Sequence, residues 1–177
     1  MGKILAALLL TVSAALAQNV PTAYGAMRAV GTQFGHDAVD RVIAISGVNG
    51  NPQPEKWNIL LADPAAHGGV REVEVTNGRI SNQRTASRDV AGQGIPVDTH
   101  KLNLDSSGAY EVASKTADSS HVPFALVNYT LRTDSRGNPT WVVTLQSQSH
   151  RSLGTIYIGA NKGTVTRTEG MFQGLPG

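Results

Sequence analysis

The residue types that most often carry chemistry are scattered in this sequence. Its five histidines are His36, His67, His100, His121 and His150. His67 and His150 each follow a tryptophan by nine or ten residues, so they could occupy equivalent turns and share a metal ion. No two histidines have the spacing that places them side by side on a helix or strand. Solvated loop histidines explain the pattern better, and we expect no metal site.

The acidic residues offer one pair with a regular spacing. Glu72 and Glu74 alternate with Val73 and Val75, so the two carboxylates would share one face of a strand. Neighbouring carboxylates can act as a general acid and a general base. The solvated outer face of a sheet is the simpler interpretation of this pair.

Nucleophile and phosphate-binding motifs are missing from the sequence. The chain contains no cysteine, which excludes thiol nucleophiles, thiolate metal sites and disulfides. No Gly-x-Ser-x-Gly segment marks a serine nucleophile, and Gly92-Gln93-Gly94 lacks the Lys-Ser of a phosphate loop. We therefore expect no catalytic residue, no cofactor and no enzyme activity. An unrecognised hydrolase, with an acid-base pair of unfamiliar spacing, is an alternative.

The two tryptophans are the remaining candidates for a functional role. Trp57 and Trp141 are the only tryptophans and lie 84 residues apart. A tryptophan on a sheet face can grip a peptide or a sugar ring, because the indole offers a large contact area at low entropic cost. The two residues are therefore candidate partner-binding residues, although a core anchor in each sheet explains them better.

The surroundings of the two tryptophans match, which indicates an internal repeat. Gly50-Asn51-Pro52 precedes the first tryptophan and Gly137-Asn138-Pro139 precedes the second. The alternating apolar runs that follow are Trp57, Ile59 and Leu61, and Trp141, Val143 and Leu145. A period of two residues predicts a strand with one apolar face. Further on, Asn77-Gly78 and Asn161-Lys162-Gly163 predict a closing hairpin in each copy.

A helix is predicted ahead of each set of strands. Apolar residues at helical spacing in the first copy are Ala23, Ala26, Met27, Val30 and Phe34. In the second copy they are Ala109, Val112, Ala113 and Ala117. Asp105 stands where the second helix needs an N-terminal cap. Both helices are short, so each needs a sheet to pack against.

These patterns predict an α+β fold with two repeats of a helix packed on an antiparallel, about four-stranded sheet. The first unit covers residues 18–83 and the second covers residues 105–170. Residues 84–104 form the linker, because glycine and proline punctuate it, and residues 171–177 form a C-terminal tail. The alternative is a single eight-stranded sheet protein with coincidental turns.

The second copy resembles a PepSY-type domain. The segments that carry the resemblance are Ala109-Tyr110-Glu111-Val112-Ala113, Gly137-Asn138-Pro139-Thr140-Trp141-Val142-Val143 and Gly163-Thr164-Val165. They match the family's Ala-rich helix, its Gly-x-Pro-x-Trp-x-Val strand and its closing hairpin. The first copy matches less well, since glycine interrupts its helix.

The resemblance implies a helix on a curved antiparallel sheet, as in cystatin-like folds. The tandem arrangement is also similar to beta-lactamase inhibitory proteins. PepSY-type modules occur in exported proteins and in propeptides of secreted metallopeptidases, where restraint of the peptidase has been proposed. The sequence shown contains no peptidase segment, and the family offers no catalytic residues to transfer.

The first seventeen residues are typical of a signal peptide. Lys3 supplies the positive charge, Ile4 to Val12 form the apolar run, and Ala15-Leu16-Ala17 fits a cleavage site. The apolar run is shorter than the about 20 residues of a membrane-spanning helix. We expect cleavage after Ala17, a periplasmic or secreted location, and no membrane span in the mature chain.

The charge balance argues against polyanionic partners. The chain has 15 Lys and Arg against 13 Asp and Glu, which gives no electrostatic drive toward nucleic acid or anionic membranes. The sequence therefore predicts an exported, non-catalytic binding or inhibitory module. Its expected partner is a secreted or envelope protein such as a peptidase. A small-ligand carrier of the cell envelope is an alternative.

Overall fold

The alternating apolar runs of the sequence form the strands of one antiparallel sheet. A computed structural model describes residues 21–86 and 94–171. The first half of the chain contains α1 (Ala23–Phe34), β1 (Val42–Gly50), β2 (Lys56–Ala62), β3 (Val70–Thr76) and β4 (Arg79–Thr85). The second half contains α2 (Ser106–Ser119), β5 (Leu126–Thr133), β6 (Pro139–Gln146), β7 (Ser152–Gly159) and β8 (Thr164–Glu169). Two short 3-10 helices, His36–Arg41 and Thr99–Lys101, lie before β1 and α2.

Four predicted segments lie wholly or partly outside the described residues, among them residues 18–20 of the first unit. The predicted signal peptide, residues 1–17, is outside them, as are residues 87–93 of the linker and 172–177 of the tail. The described part of the linker begins inside β4, because that strand continues to Thr85. Val97, further along the linker, donates a backbone hydrogen bond of 2.7 Å to the carbonyl of Val42.

The strands of both halves belong to a single eight-stranded sheet. Their order is β4-β3-β2-β1-β5-β6-β7-β8, and every neighbouring pair is antiparallel. β1 and β5 pair at the centre, where Ile45 is opposite Leu131. The predicted α+β class with an antiparallel sheet is confirmed, and the strands of the two halves are continuous across β1 and β5.

Both helices begin at a side-chain cap. The hydroxyl of Thr22 accepts a hydrogen bond of 3.2 Å from the backbone N–H of Gly25 at the start of α1. Asp105 accepts one of 2.6 Å from the N–H of Ser106 at the start of α2. Such caps satisfy N–H groups that have no partner inside the helix. α1 ends before Gly35, whose φ of 89° is a conformation that glycine adopts without strain.

The two helices cover the same face of the sheet. Their buried residues are Ala23, Ala26, Met27, Val30 and Gly31 in α1, and Ser106, Ala109, Ala113 and Ala117 in α2. These residues belong to one apolar cluster with alternate residues of the strands, among them Ile59 and Val143. Mostly small residues face the sheet, so the helices lie close to it and bury the large strand side chains beneath them.

A buried polar junction joins the starts of the two helices. The N–H of Ala23 donates to the hydroxyl of Ser106 at 3.0 Å, and that hydroxyl donates to the side-chain oxygen of Gln53 at 2.6 Å. The N–H of Tyr24 donates to the carboxylate of Asp105 at 3.0 Å. One carboxylate therefore contacts two helix N-termini, where the helix dipoles favour negative charge. The two halves are linked by this junction as well as by the central strand pair.

Candidate functional site: the open face of the sheet

No described helix covers the second face of the sheet. Because side chains alternate along a strand, the residues between the core positions point away from α1 and α2. We call this surface the open face. Its members used below are Lys56, Glu72, Glu74, Arg84, Thr130, Arg132, Val142, Thr144, Thr155, Tyr157 and Arg167.

The first half of the open face carries paired charges on β2, β3 and β4, beside a buried apolar cluster of Ile43, Val70 and Ala86. Glu72 accepts two hydrogen bonds of 2.8 Å from the guanidinium of Arg84. Lys56 lies 3.1 Å from the carboxylate of Glu74, and Ser81 donates to that carboxylate at 3.0 Å. The hydrogen bond from Lys56, followed by that from Ser81, lowers the pKa of Glu74. The two carboxylates that alternate in the sequence are thus both engaged in ion pairs.

The second half of the open face is uncharged at its centre. Thr130, Val142, Thr144, Thr155 and Tyr157 lie on three adjacent strands and are all half-buried. The hydroxyls of Thr144 and Thr155 are 3.2 Å apart, within hydrogen-bonding distance. Threonine and tyrosine give this surface both apolar area and hydroxyl groups that can bind a partner.

A basic cleft of about 620 Å³ borders this uncharged surface. Its cationic side chains are Arg132 in β5, Arg136 before β6, Lys162 before β8 and Arg167 in β8. The carboxylate of Asp134 also lines the cleft. Cations outnumber carboxylates here, so the cleft attracts anionic groups.

Tyr157 and Arg167 form one wall of the basic cleft. The guanidinium carbon of Arg167 lies 3.9 Å from the centre of the Tyr157 ring, a cation–π contact. Glu169 accepts a hydrogen bond of 2.9 Å from the Tyr157 hydroxyl and lies 3.2 Å from the guanidinium of Arg167. These contacts hold the aromatic ring and the guanidinium in one orientation at the surface.

The two tryptophans lie on the other face of the sheet. Trp57 in β2 and Trp141 in β6 are 0 % exposed and belong to the core beneath the helices. Tyr129 lies between them, with ring centres 5.7 Å from Trp57 and 6.1 Å from Trp141. Neither indole presents a surface to a partner in this conformation. In the sequence, the residues of the open face can be recognised as those that alternate with the buried apolar residues of each strand.

The histidines are dispersed in the structure. All five are exposed. His67 lies between β2 and β3 and His150 between β6 and β7, and His150 Nδ1 is 3.0 Å from the side-chain oxygen of Asn49. Within residues 21–86 and 94–171, no three His, Asp or Glu side chains come together as in a metal centre.

A smaller cleft of about 370 Å³ lies beside α1. Met27, Gly31, Val39 and Leu102 give it an apolar lining. Tyr24 also lines it, and the buried hydroxyl of Tyr24 has no hydrogen-bond partner in the described part of the chain. Burial, with a smaller effect of the Asp105 charge, raises the pKa of Tyr24 to about 12.

Comparison with known proteins leaves the function of this chain to be inferred from its structure. In the described ranges, no helix combines the length and the apolar character that crossing a bilayer requires. We infer the function from the open face and from the two clefts described above. Comparisons with protein-family models, with curated proteins and with solved structures give no match to this chain.

Proposed function

We propose that this protein is an exported, non-catalytic binding or inhibitory module whose open face meets a protein partner. A peptidase or another secreted or envelope protein is the expected partner. The observation that carries the proposal is the uncharged centre of the second half of the open face, formed by Thr130, Val142, Thr144 and Tyr157, which no described helix covers. Antiparallel sheets commonly bury one face and leave the other free. Aromatic side chains and arginines at the border are enriched in protein interfaces.

A rigid sheet suits such a role. Seven antiparallel strand pairs fix the backbone of the open face, and the core beneath it holds the side-chain positions. A preorganised surface loses little conformational entropy on binding, so more of the contact energy becomes affinity.

We also propose that the chain contains two PepSY-like units, residues 18–83 and 105–170, related by duplication. Trp57 Nε1 donates to the carbonyl of Pro21 at 2.8 Å, and Trp141 Nε1 donates to the carbonyl of Leu104 at 2.9 Å. Each acceptor stands two residues before the first residue of the helix in its own half. Equivalent indoles therefore secure equivalent helix starts.

The strand register supports the same duplication. Pairing of β3 with β4 shifts between Glu74 and Val75, and pairing of β7 with β8 shifts between Tyr157 and Ile158. In both halves the irregularity falls in the last hairpin, just before its turn. Bulges are specific local features that re-aim side chains, and a shared one favours common descent of the two units.

A small-ligand carrier is the second candidate, favoured by the cleft beside α1. Its apolar lining by Met27, Val39 and Leu102 suits a small apolar molecule. Native mass spectrometry of freshly purified protein tests this idea, because a carrier should retain such a molecule. The mass of the bare chain alone would count against a carrier.

Affinity capture from the native periplasmic or extracellular fraction tests the binding module. Wild-type protein and Glu111→Arg, which changes an exposed residue of α2, should retain the same partner. Thr144→Arg should lose it, because a long charged side chain then stands at the centre of the open face. Retention of the partner by all three proteins would place its binding elsewhere and reject the open face.

A further inference from the structure

The basic cleft differs from the rest of the open face in how its charges are satisfied. Arg132, Arg136 and Lys162 are exposed, and none of them takes part in an ion pair with another described residue. Across the sheet, by contrast, Lys56 and Arg84 are each paired with a glutamate. Three cations without an ion pair to a described residue therefore line this one cleft.

The acidic residue in the cleft is already engaged by the backbone. One carboxylate oxygen of Asp134 accepts hydrogen bonds from the N–H of Arg136 at 2.9 Å and of Asn138 at 2.8 Å. These bonds shape the turn between β5 and β6, a common role of aspartate in turns. Asp134 therefore holds Arg136 in place at the rim and forms no ion pair with the nearby cations.

We propose that the basic cleft binds an acidic segment of a protein partner, with Asp or Glu side chains paired to Arg132, Arg136 and Lys162. The inference rests on the proposed function, since it specifies which end of the open face a partner contacts and with what chemistry. Guanidinium groups form two parallel hydrogen bonds to a carboxylate. The neighbouring Val142 offers apolar contact to the remainder of such a segment.

The extent of the cleft favours an acidic peptide segment over a nucleic acid. Single-stranded nucleic acids are bound along grooves with a continuous run of cations and several stacking aromatic rings. Here the free cations are confined to about 620 Å³, Tyr157 is the aromatic side chain that lines it, and its ring is already covered by Arg167. A few carboxylates match this arrangement.

Fluorescence anisotropy of a labelled hexaglutamate peptide tests the proposal with the full mature chain. Wild-type protein should bind the peptide at low salt. The double variant Arg132→Glu with Arg136→Glu should lower the association rate by about tenfold or more, as expected when a steering field is reversed. The matched control is Arg28→Glu with Arg79→Glu, which makes the same change of net charge at exposed residues outside the cleft. The control should bind like wild type, and thermal melting of both variants checks that they are folded.

Three results would overturn the proposal. Hexaglutamate could fail to bind, the cleft variant and its control could lose binding equally, or an oligothymidylate of equal charge could bind more tightly than hexaglutamate. The last result would assign the cleft to phosphate polyanions. None of these three results changes the expected outcome of the capture experiment with Thr144→Arg, so failure of the cleft and failure of the binding module are distinguishable.

The salt dependence gives a further check of the cleft. Raising the salt to about 1 M, where the screening length falls to about 3 Å, should abolish binding of hexaglutamate to the cleft.

Discussion

The two halves of the sheet share a core arrangement and differ on the surface away from the helices. In each half an indole on the second strand is buried under the helix and donates to the backbone before that helix. On the open face, the first half pairs its charges and the second half combines an uncharged centre with free cations. The helix-covered face is constrained by packing in both halves. The surface that packing leaves free is where the halves diverge, and we place the function there.

The halves also differ in the residue that lies opposite each indole on the neighbouring strand. Gly47 is the cross-strand neighbour of Trp57 in β1, and Leu131 is the cross-strand neighbour of Trp141 in β5. A Cβ atom at position 47 would lie 2.9 Å from Cε3 of Trp57 and would also meet Pro54. Pro54 and the first indole therefore occupy space that a leucine fills in the second half.

Truncating either tryptophan should have the largest effect. Trp57→Ala and Trp141→Ala each remove a fully buried side chain and one hydrogen bond, so each should cost about 3–5 kcal/mol of unfolding free energy. Urea denaturation measures both. Val48→Ala is a control, because Val48 is 62 % exposed and its truncation should change stability by no more than about 0.5 kcal/mol. Wild-type stability of one tryptophan variant would show that the two indoles are not equivalent anchors.

The residues beneath the indoles should respond to opposite changes of volume. Leu131→Ala should cost about 2–5 kcal/mol because it leaves a cavity under Trp141. Gly47→Ala should cost about 1–3 kcal/mol because it overpacks the space under Trp57. Urea denaturation measures both changes as shifts of the midpoint, provided that the slope of the unfolding free energy against urea concentration stays the same. A gain in stability for Gly47→Ala would mean that Trp57 has room to move, contrary to the packing described.

The junction between the helix starts should contribute less than the core. Ser106→Ala leaves the N–H of Ala23 and the side-chain oxygen of Gln53 without a buried partner, at a cost of about 1–3 kcal/mol. Ser107→Ala is the matched control, since Ser107 is the exposed neighbour of Ser106. Thermal melting should give a lower melting temperature for Ser106→Ala than for Ser107→Ala. Equal melting temperatures would show that the hydrogen bonds of Ser106 do not contribute to joining the two halves.

The sequence predicted the elements of the fold because each carries a local signal. The apolar stripe from Ala23 to Phe34 coincides with α1, and Asp105 is the cap of α2. The alternation after each tryptophan coincides with β2 and β6. The pairing of β1 with β5 could not be predicted in the same way. It joins strands about 80 residues apart, and strand periodicity specifies which side is buried but not which strand is the neighbour.

The candidate site was harder to predict than the fold. Large aromatic side chains drew attention to Trp57 and Trp141, yet a bulky residue is favoured equally by a core and by an interface. The cations of the basic cleft come from β5, from β8 and from two turns, so no stretch of sequence shows their cluster. Register and turn geometry bring them together, and both are properties of the folded sheet.

Acid should loosen the first half of the sheet before the second. Hydrogen bonds from Arg71 lower the pKa of Asp63, and the hydrogen bond from Lys56 lowers that of Glu74. Unfolded aspartate and glutamate titrate near about 3.9 and about 4.3. Because the folded values are lower, the two carboxylates stabilise the protein above that range, and the stabilisation is lost as the pH falls through their folded pKa values.

The turn after β6 provides the comparison for this last effect. Ser147 follows β6 as Asp63 follows β2, and its hydroxyl accepts a neutral hydrogen bond of 3.2 Å from the N–H of Arg151. Hydrogen exchange of the β3 amides should therefore accelerate more than that of the β7 amides between about pH 6 and about pH 3, after correction for the intrinsic rates. Asp63→Asn should be less stable than wild type at neutral pH and should reduce this difference. Equal loss of protection in β3 and β7 would show that the ion pairs of the first half do not set its acid stability, and the contrast between the halves would then be confined to binding.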